Sequence, residues 1–327
     1  MRVAIADPDI DISTARKILA TTGATPAYER DNWAGEDVVA IIVSPQGAVR
    51  SADLERCPNL KIVATTSTGI DNVDIDACRR RGVSVWHPTD YCSDEVADSA
   101  AALLLSLLRG TVFLDRSVRD GQWHYAAVGP LKRVDETHLG ILGFGIIGRK
   151  VAARARALNM TVRAYDPYVA ADDPTTVATG VNVVELDELL ETSTALTIHV
   201  PLSDSTHRLI SEDRIARMPR GSVLVNLARG EIVDTNAVLN ALNSGQLSGA
   251  ALDVLEIEPP TKELPAPKHP RLIVTPHAGW YSERSAQALF LRPLEVIRDA
   301  LLERSASDVD GFKPSLYEPT QRDNHHR

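Results

Sequence analysis

The sequence predicts an α/β protein built on two doubly wound parallel sheets. Short apolar runs alternate with helical patterns, the mark of βαβ units. The alternation occurs in two series, one over roughly the first ninety residues and one beginning at His138. The length of 327 residues suits two domains of the usual ~100–200 residues.

In the first series, Val3–Ala6, Val38–Val43, Lys61–Thr65 and Val83–Trp86 read as strands, and Ile12–Ala20 and Val73–Arg80 as helices. No glycine-rich phosphate loop follows the first strand. Ser93–Arg109 is an Ala/Leu-rich helix with Ser93 as the expected N-cap and Asp94 and Glu95 at the positive end of its dipole. The pattern extends past Gly110 to Arg119, before the Asp120-Gly121 turn, and Gln122–Asp135 reads as a surface loop.

The second series opens with the strand LGILG after His138, followed by a helix over Ile147–Leu158. Further strands are expected at Thr161–Tyr165, Ala195–Val200, Ser222–Asn226, Ala250–Val254 and Leu272–Thr275, with helices at Ser211–Arg217 and Asn236–Asn243. A last helix spans Ser282–Leu302, and the polar tail Asp310–Arg327 is expected to be disordered at its end.

Composition narrows the function. Hydrophobic residues make up 44% and charged residues 24%, an ordinary balance for a globular protein. A net charge of −9 argues against a broad basic surface for nucleic acid or anionic membrane. Cys57, Cys78 and Cys92 form no C-x-x-C pair, and their odd number suits reduced thiols. The N-terminus MRVAIAD carries no signal-peptide core, and the longest strongly apolar stretch, Ala100–Leu108, is shorter than a membrane span of roughly 20 residues. These features predict a cytoplasmic protein with no anchor.

Gly143-Phe144-Gly145-Ile146-Ile147-Gly148 matches G-x-G-x-x-G, with a strand before it and a helix after it. Gly143 permits the tight turn, Gly145 the approach of a pyrophosphate, and Gly148 close helix–strand packing. The helix N-terminus, with Ile146 and Ile147, offers unpaired N–H groups to phosphate. Asp166, 18 residues after Gly148, can accept from ribose hydroxyls and repel a 2′-phosphate, which favours NAD as the cofactor. The sheet is therefore expected to be Rossmann-like. No metal is expected.

Three further groups stand at strand ends in the C-terminal half. Arg229 follows SVLVNLA, Glu258 lies five residues after Asp253, and His277 follows LIVTP. Ligands of open parallel sheets bind beyond the carboxyl ends of the strands. A guanidinium can clamp a carboxylate, and a carboxylate-supported imidazole can exchange a proton near neutral pH. Together they suit hydride transfer between nicotinamide and a small 2-oxo or 2-hydroxy acid.

The fingerprint, the run Asn226-Leu227-Ala228-Arg229-Gly230, Asp253 with Glu258-Pro259, and Thr275-Pro276-His277 resemble the D-isomer-specific 2-hydroxyacid dehydrogenase family, as does Thr66–Asp74. The resemblance implies two domains with the active-site cleft between them: a discontinuous substrate domain (1–97 and 284–327) and an NAD-binding domain (98–283). It implies His277 as acid/base, Glu258 as its partner and Arg229 as substrate clamp. Ser67, Thr68 and Gly69 would hold the substrate carboxylate, while Val200, Pro201, Ala228 and Asp253 would contact the cofactor. It also implies a homodimer. Phosphoglycerate dehydrogenases of the family usually carry an Arg just after the strand corresponding to Ala40–Val43, for the substrate phosphate. Ser44-Pro45-Gln46 stands there instead, and the length leaves no room for a C-terminal regulatory domain, both arguing against 3-phosphoglycerate. Thr275–Glu283 and Asp94–Asp98 resemble the C-terminal-binding-protein-like branch, in which a Trp after the catalytic His can face the substrate; Trp280 is read either in that role or as an aromatic that packs at the hinge. That branch supplies an alternative, an NADH-sensing binding protein of corepressor type with vestigial activity.

Overall fold

A computed structural model describes residues 1–30, 33–170, 172, 174–261 and 267–302; the tail Asp310–Arg327 lies outside them. The chain divides into two units, Met1–Tyr91 with the segment from Ser282 on, and Cys92–Tyr281. The first crossing thus falls six residues before the expected 97/98, because the whole of helix Ser93–Arg109 belongs with the second unit.

The first unit holds strands β1 (Arg2–Ile5), β2 (Thr25–Tyr28), β3 (Val38–Val43), β4 (Ile62–Thr65) and β5 (Ser84–Trp86). They form a parallel sheet in the order β2-β1-β3-β4-β5. All six residues of β3 are buried, so the strand is continuously apolar rather than alternating. Ala4, Ile41, Val43 and Val63 face one layer, and Val3, Ile5, Ala40 and Ile42 the other. Helix Glu283–Leu301 returns to this second layer through Leu294 and Ile297, which is why the unit is discontinuous. Truncating either buried side chain to Ala costs about 2–5 kcal/mol.

The second unit holds β6 (His138–Leu142), β7 (Thr161–Tyr165), β8 (Asn182–Val183), β9 (Ala195–Ile198), β10 (Ser222–Asn226), β11 (Leu247–Leu252) and β12 (Leu272–Val274). All are parallel, in the order β12-β11-β10-β9-β6-β7-β8. The order reverses at β6/β9, the crevice where such sheets take ligands. One face is covered by a core that includes Leu189, Ile215, Val238 and Leu242. Helices Ser93–Arg109 and Ile146–Ala157 bury small residues, Ala97 and Ala100 on one and Ala152 and Ala155 on the other. Asp94 and Asp98 of the first bond Lys150 and Arg154 of the second.

Every strand and helix named from sequence is present, with ends within three residues. Two details differ. Cys92 occupies the N-cap position of helix Ser93–Arg109, and Ser93 is already helical and buried. The helix stops at Gly110, whose φ of 60° is left-handed, and Thr111–Arg119 continues at a 60° bend. A side chain at Gly110 would run into Val128, so the bend needs glycine. Within Gln122–Asp135, Trp123 and Tyr125 are among the most exposed large apolar side chains. Among the described residues, no single helix is long and apolar enough to cross a membrane.

Candidate active site

At the β6/β9 boundary the glycine loop is shaped by contact. Gly143 has φ 96°, and a Cβ there would stand 2.6 Å from the His199 carbonyl carbon. A Cβ on Gly148 would collide with the Gly143 carbonyl oxygen. Gly145 differs, since a Cβ there would meet nothing within 4 Å. It is the N-cap residue of helix Ile146–Ala157, so the first N–H groups of that helix open toward this space. The loop thus offers a bare backbone and a positive helix end, the fit a pyrophosphate needs.

Asp166 lies at the end of β7. It accepts from Phe144 N–H at 2.9 Å through Oδ2 and from Tyr168 N–H at 2.9 Å through Oδ1. It therefore holds the glycine loop in place and keeps acceptor capacity for a ribose diol. Val200 and Pro201 follow β9, and Ala228 follows β10. His199, between β9 and Val200, meets Thr197 Oγ1 through Nε2 at 2.9 Å. Burial pushes its pKa down to about 4.

The three neighbouring loops after β10, β11 and β12 carry the reactive side chains. Asn226, fully buried, staples the first: its Nδ2 donates to Arg229 O at 2.8 Å and its Oδ1 accepts from Ala228 N–H at 3.0 Å. Arg229 donates through Nη1 to Ala228 O at 2.9 Å. A side chain on Gly230 would strike the Leu255–Glu256 backbone, so the first loop rests on the second. Leu255 N–H donates at 2.7 Å to Glu258 Oε1, and Glu258 Oε2 lies 2.6 Å from His277 Nδ1.

Burial alone would raise the Glu258 carboxyl. The hydrogen bond and charge of His277, the Leu255 N–H and the Arg229 charge outweigh it and hold the group below its ordinary value. Glu258 is then an ionised acceptor, so Nδ1 of His277 carries the proton and donates. The other ring nitrogen, Nε2, remains as the atom to exchange one.

His277 adopts φ 53°, a backbone state uncommon for a residue with a side chain. Asp253 over-determines it. Its carbonyl accepts from His277 N–H at 2.7 Å, Oδ1 accepts from Thr275 Oγ1 at 2.5 Å and Ala278 N–H at 2.9 Å, and Oδ2 accepts from Gly279 N–H at 2.8 Å. The family resemblance implies a cofactor contact for Asp253; Asp253 is 3% exposed, and its carboxylate grips the His277 loop. Trp280 stands three residues on, edge-to-face with Tyr281 at 5.6 Å.

In the first unit, three successive carbonyls of the segment Thr65–Ile70, those of Ser67, Thr68 and Gly69, are taken by side chains. Thr65 Oγ1 donates to Ser67 O at 2.8 Å, Ser67 Oγ to Gly69 O at 2.6 Å, and His87 Nδ1 lies 2.8 Å from Thr68 O. Thr66 Oγ1 bonds the buried Asp7 carboxylate. The N–H groups of Thr68, Gly69 and Ile70 have no acceptor among the described residues. Sequence reading named Ser67, Thr68 and Gly69 but missed Asp7, His87 and the staple Asn226. An Asn closing an apolar strand before Arg-Gly is a turn signal that was available. For His87, whose partner lies 19 residues away, no local signal existed.

Residues 101–279 match the NAD binding domain of the D-isomer specific 2-hydroxyacid dehydrogenases. The chain is 35% identical over 283 residues to a D-3-phosphoglycerate dehydrogenase of Archaeoglobus fulgidus, covering 85% of this chain and 53% of that one. It is 36% identical over 275 residues to a glyoxylate reductase of Korarchaeum cryptofilum, covering 83% and 80%. The chain spans about half the length of the phosphoglycerate dehydrogenases it matches. A solved D-lactate dehydrogenase of Aquifex aeolicus, complexed with NAD and lactic acid, is similar with a TM-score of 0.83 and 26% identity, covering 93% of this chain and 96% of that one. With residues 101–279 matched by the family's NAD binding domain and a relative 36% identical over 83% of the chain, the chain belongs to the D-isomer-specific 2-hydroxyacid dehydrogenase family.

Proposed function

We propose that the protein interconverts a small 2-oxo acid and its D-2-hydroxy acid with NAD(H). The observation that carries this reading is the His277–Glu258 pair at 2.6 Å, with Arg229 close enough for its charge to act on Glu258. All three stand at the carboxyl ends of adjacent strands of the NAD-binding unit. The bound cofactor supplies or accepts the hydride. His277 Nε2 gives a proton to the substrate oxygen in reduction and takes it back in oxidation. Glu258 fixes the ring and its tautomer. Arg229 holds the carboxylate in a planar fork that Lys would match poorly. We assign the N–H groups of Thr68 and Gly69, beside Ser67, to the same carboxylate, and to Trp280 a contact with the substrate side chain.

Asp166 accepts from the adenosine ribose and selects NAD over NADP. Val200, Pro201 and Ala228 flank the dinucleotide. The substrate is read as unphosphorylated: Ser44 has its carbonyl taken by Asn72, and Pro45 and Gln46 bring no cation.

A cytoplasmic homodimer belongs to the same reading. All three cysteines are free and buried. The exposed Trp123 and Tyr125 belong to the second unit, as does a cavity of about 270 Å³ lined by Leu107, Phe113, Val128 and Leu131. Light scattering at twice the chain mass supports the dimer; the mass of a single chain rejects it.

The reaction is tested by NADH oxidation with glyoxylate, hydroxypyruvate, phenylpyruvate, 4-methylthio-2-oxobutyrate and phosphonopyruvate. At least one unphosphorylated acid should turn over. Failure of the whole panel, with NADH-dependent capture of a protein partner, would reject the enzyme in favour of a sensor.

A further inference from the structure

The loop assigned above to the substrate carboxylate contains no cation of its own between Thr65 and Ile70, so its affinity for an anion rests on backbone N–H groups. Such groups work only when the peptide planes are turned the right way, and each plane is set by what its carbonyl does. Three successive carbonyls, of Ser67, Thr68 and Gly69, are each engaged by a side-chain donor. Two of those donors, Thr65 and Ser67, lie within the segment. The third, His87, comes from the end of β5. It is the one long-range tie among these three, and it fixes the peptide that joins Thr68 to Gly69.

We infer that His87 is a positioning residue for substrate binding: by donating from Nδ1 to the Thr68 carbonyl, it aims the Gly69 N–H at the substrate carboxylate. A carbonyl oxygen can only accept, so Nδ1 must carry the proton. Burial, only partly offset by the bond to Thr68, lowers the His87 pKa below its ordinary value, and the ring is neutral at working pH with Nδ1–H as its donor. The role is one of orientation rather than charge. Asn can perform it, because its Nδ2 donor sits at the same bond separation from the backbone as His Nδ1. Phe fills the space without a donor.

The inference rests on the proposed reaction and is tested separately from it. Oxamate, a non-reducible isostere of a 2-oxo acid, is titrated into the full-length protein saturated with NADH, and KM and kcat are measured with glyoxylate. Losing one neutral hydrogen bond corresponds to about a five- to tenfold effect. His87→Ala and His87→Phe should weaken oxamate and raise KM by that factor, with kcat within about twofold and NADH affinity unchanged. His87→Asn should restore both constants to near those of the unsubstituted protein. A merely structural role would lower kcat and NADH binding together and would not be rescued by Asn. Oxamate affinity unchanged in both His87→Ala and His87→Phe overturns the inference alone. An unsubstituted protein that binds no oxamate and reduces no acid overturns the proposed reaction along with it.

Discussion

At the β1/β3 boundary of the first sheet, the turn after β1 is closed by the Asp7 carboxylate, which accepts from Asp9 N–H at 2.9 Å and from Thr66 Oγ1. At the β6/β9 boundary of the second, the turn after β6 is Gly143–Gly148, with open space over Gly145 and the backbone of the half-buried His199 against Gly143. Both sheets are parallel and both reverse strand order at these points. Where one places an anionic side chain against the turn, the other leaves bare backbone and an unpaired helix end. Topology provides the crevice; the residues of one turn decide whether a dinucleotide can use it.

Adding a methyl group to the second turn should disable it most. Gly148→Ala sets a Cβ against the Gly143 carbonyl and should cost both thermal stability and at least about tenfold in NADH affinity. Gly145→Ala sharpens the test, since its Cβ meets no protein atom. Its melting temperature should stay within a few degrees, roughly, while NADH binding falls by a comparable factor. Calorimetric titration of both variants reads the difference. Equal NADH affinity in Gly145→Ala and the unsubstituted protein would mean that the pyrophosphate lies elsewhere.

A smaller effect is expected at Asp166. Asp166→Asn keeps an acceptor for the Phe144 N–H but removes the charge that would repel a 2′-phosphate. The NADPH-to-NADH ratio of kcat/KM should rise by about tenfold, or roughly 1.4 kcal/mol. Asp166→Ala should bind both cofactors less well, because the glycine loop also loses its anchor. An unchanged ratio in the Asn variant would remove Asp166 from cofactor selection.

The smallest effect concerns pH. His199 has a folded-state pKa of about 4, below the ordinary value near 6.5, so the unfolded chain takes up its proton first. Its neutral form contributes stability above about pH 6.5 that is lost as pH falls toward 4. With some discount for its partial exposure, the loss is on the order of 2 kcal/mol. Asp7 is shifted the other way: burial outweighs its hydrogen bonds and raises its pKa. Protonation of Asp7 therefore favours the folded state as pH falls through that value. Melting curves between pH 7 and pH 4 should fall less steeply for His199→Asn than for the unsubstituted protein. Parallel curves would contradict the assignment.

The parts legible in the sequence were those in which a single segment carries its own signal. Apolar runs such as Val38–Val43 and the glycine spacing of Gly143–Gly148 have local periods, and Arg229, Glu258 and His277 declare their chemistry by side-chain type. The elements left unnamed were short or at an edge. β2 contains Pro26 and pairs only with β1, so the missing N–H of proline costs it no ladder bond. Helix Ser51–Arg56 buries Leu54 alone, between the charged Asp53 and Glu55, so no apolar face marks it. The support of the site was hidden for another reason. Asn226 binding Arg229 O, Asp253 gripping Ala278 and Gly279, and His87 holding Thr68 are relations between a side chain and backbone groups. Two of these three cross between loops, and sequence periodicity does not encode such pairs.

The central claim is that His277, held by Glu258, exchanges a proton with a 2-oxo acid while the neighbouring crevice binds NADH. Steady-state turnover and NADH affinity of His277→Ala, measured side by side with the best acid substrate, test it most directly. In this variant kcat should fall about 10²–10⁴-fold, with NADH bound as tightly as by the unsubstituted protein. Turnover within a few-fold of the unsubstituted protein, roughly, would contradict it.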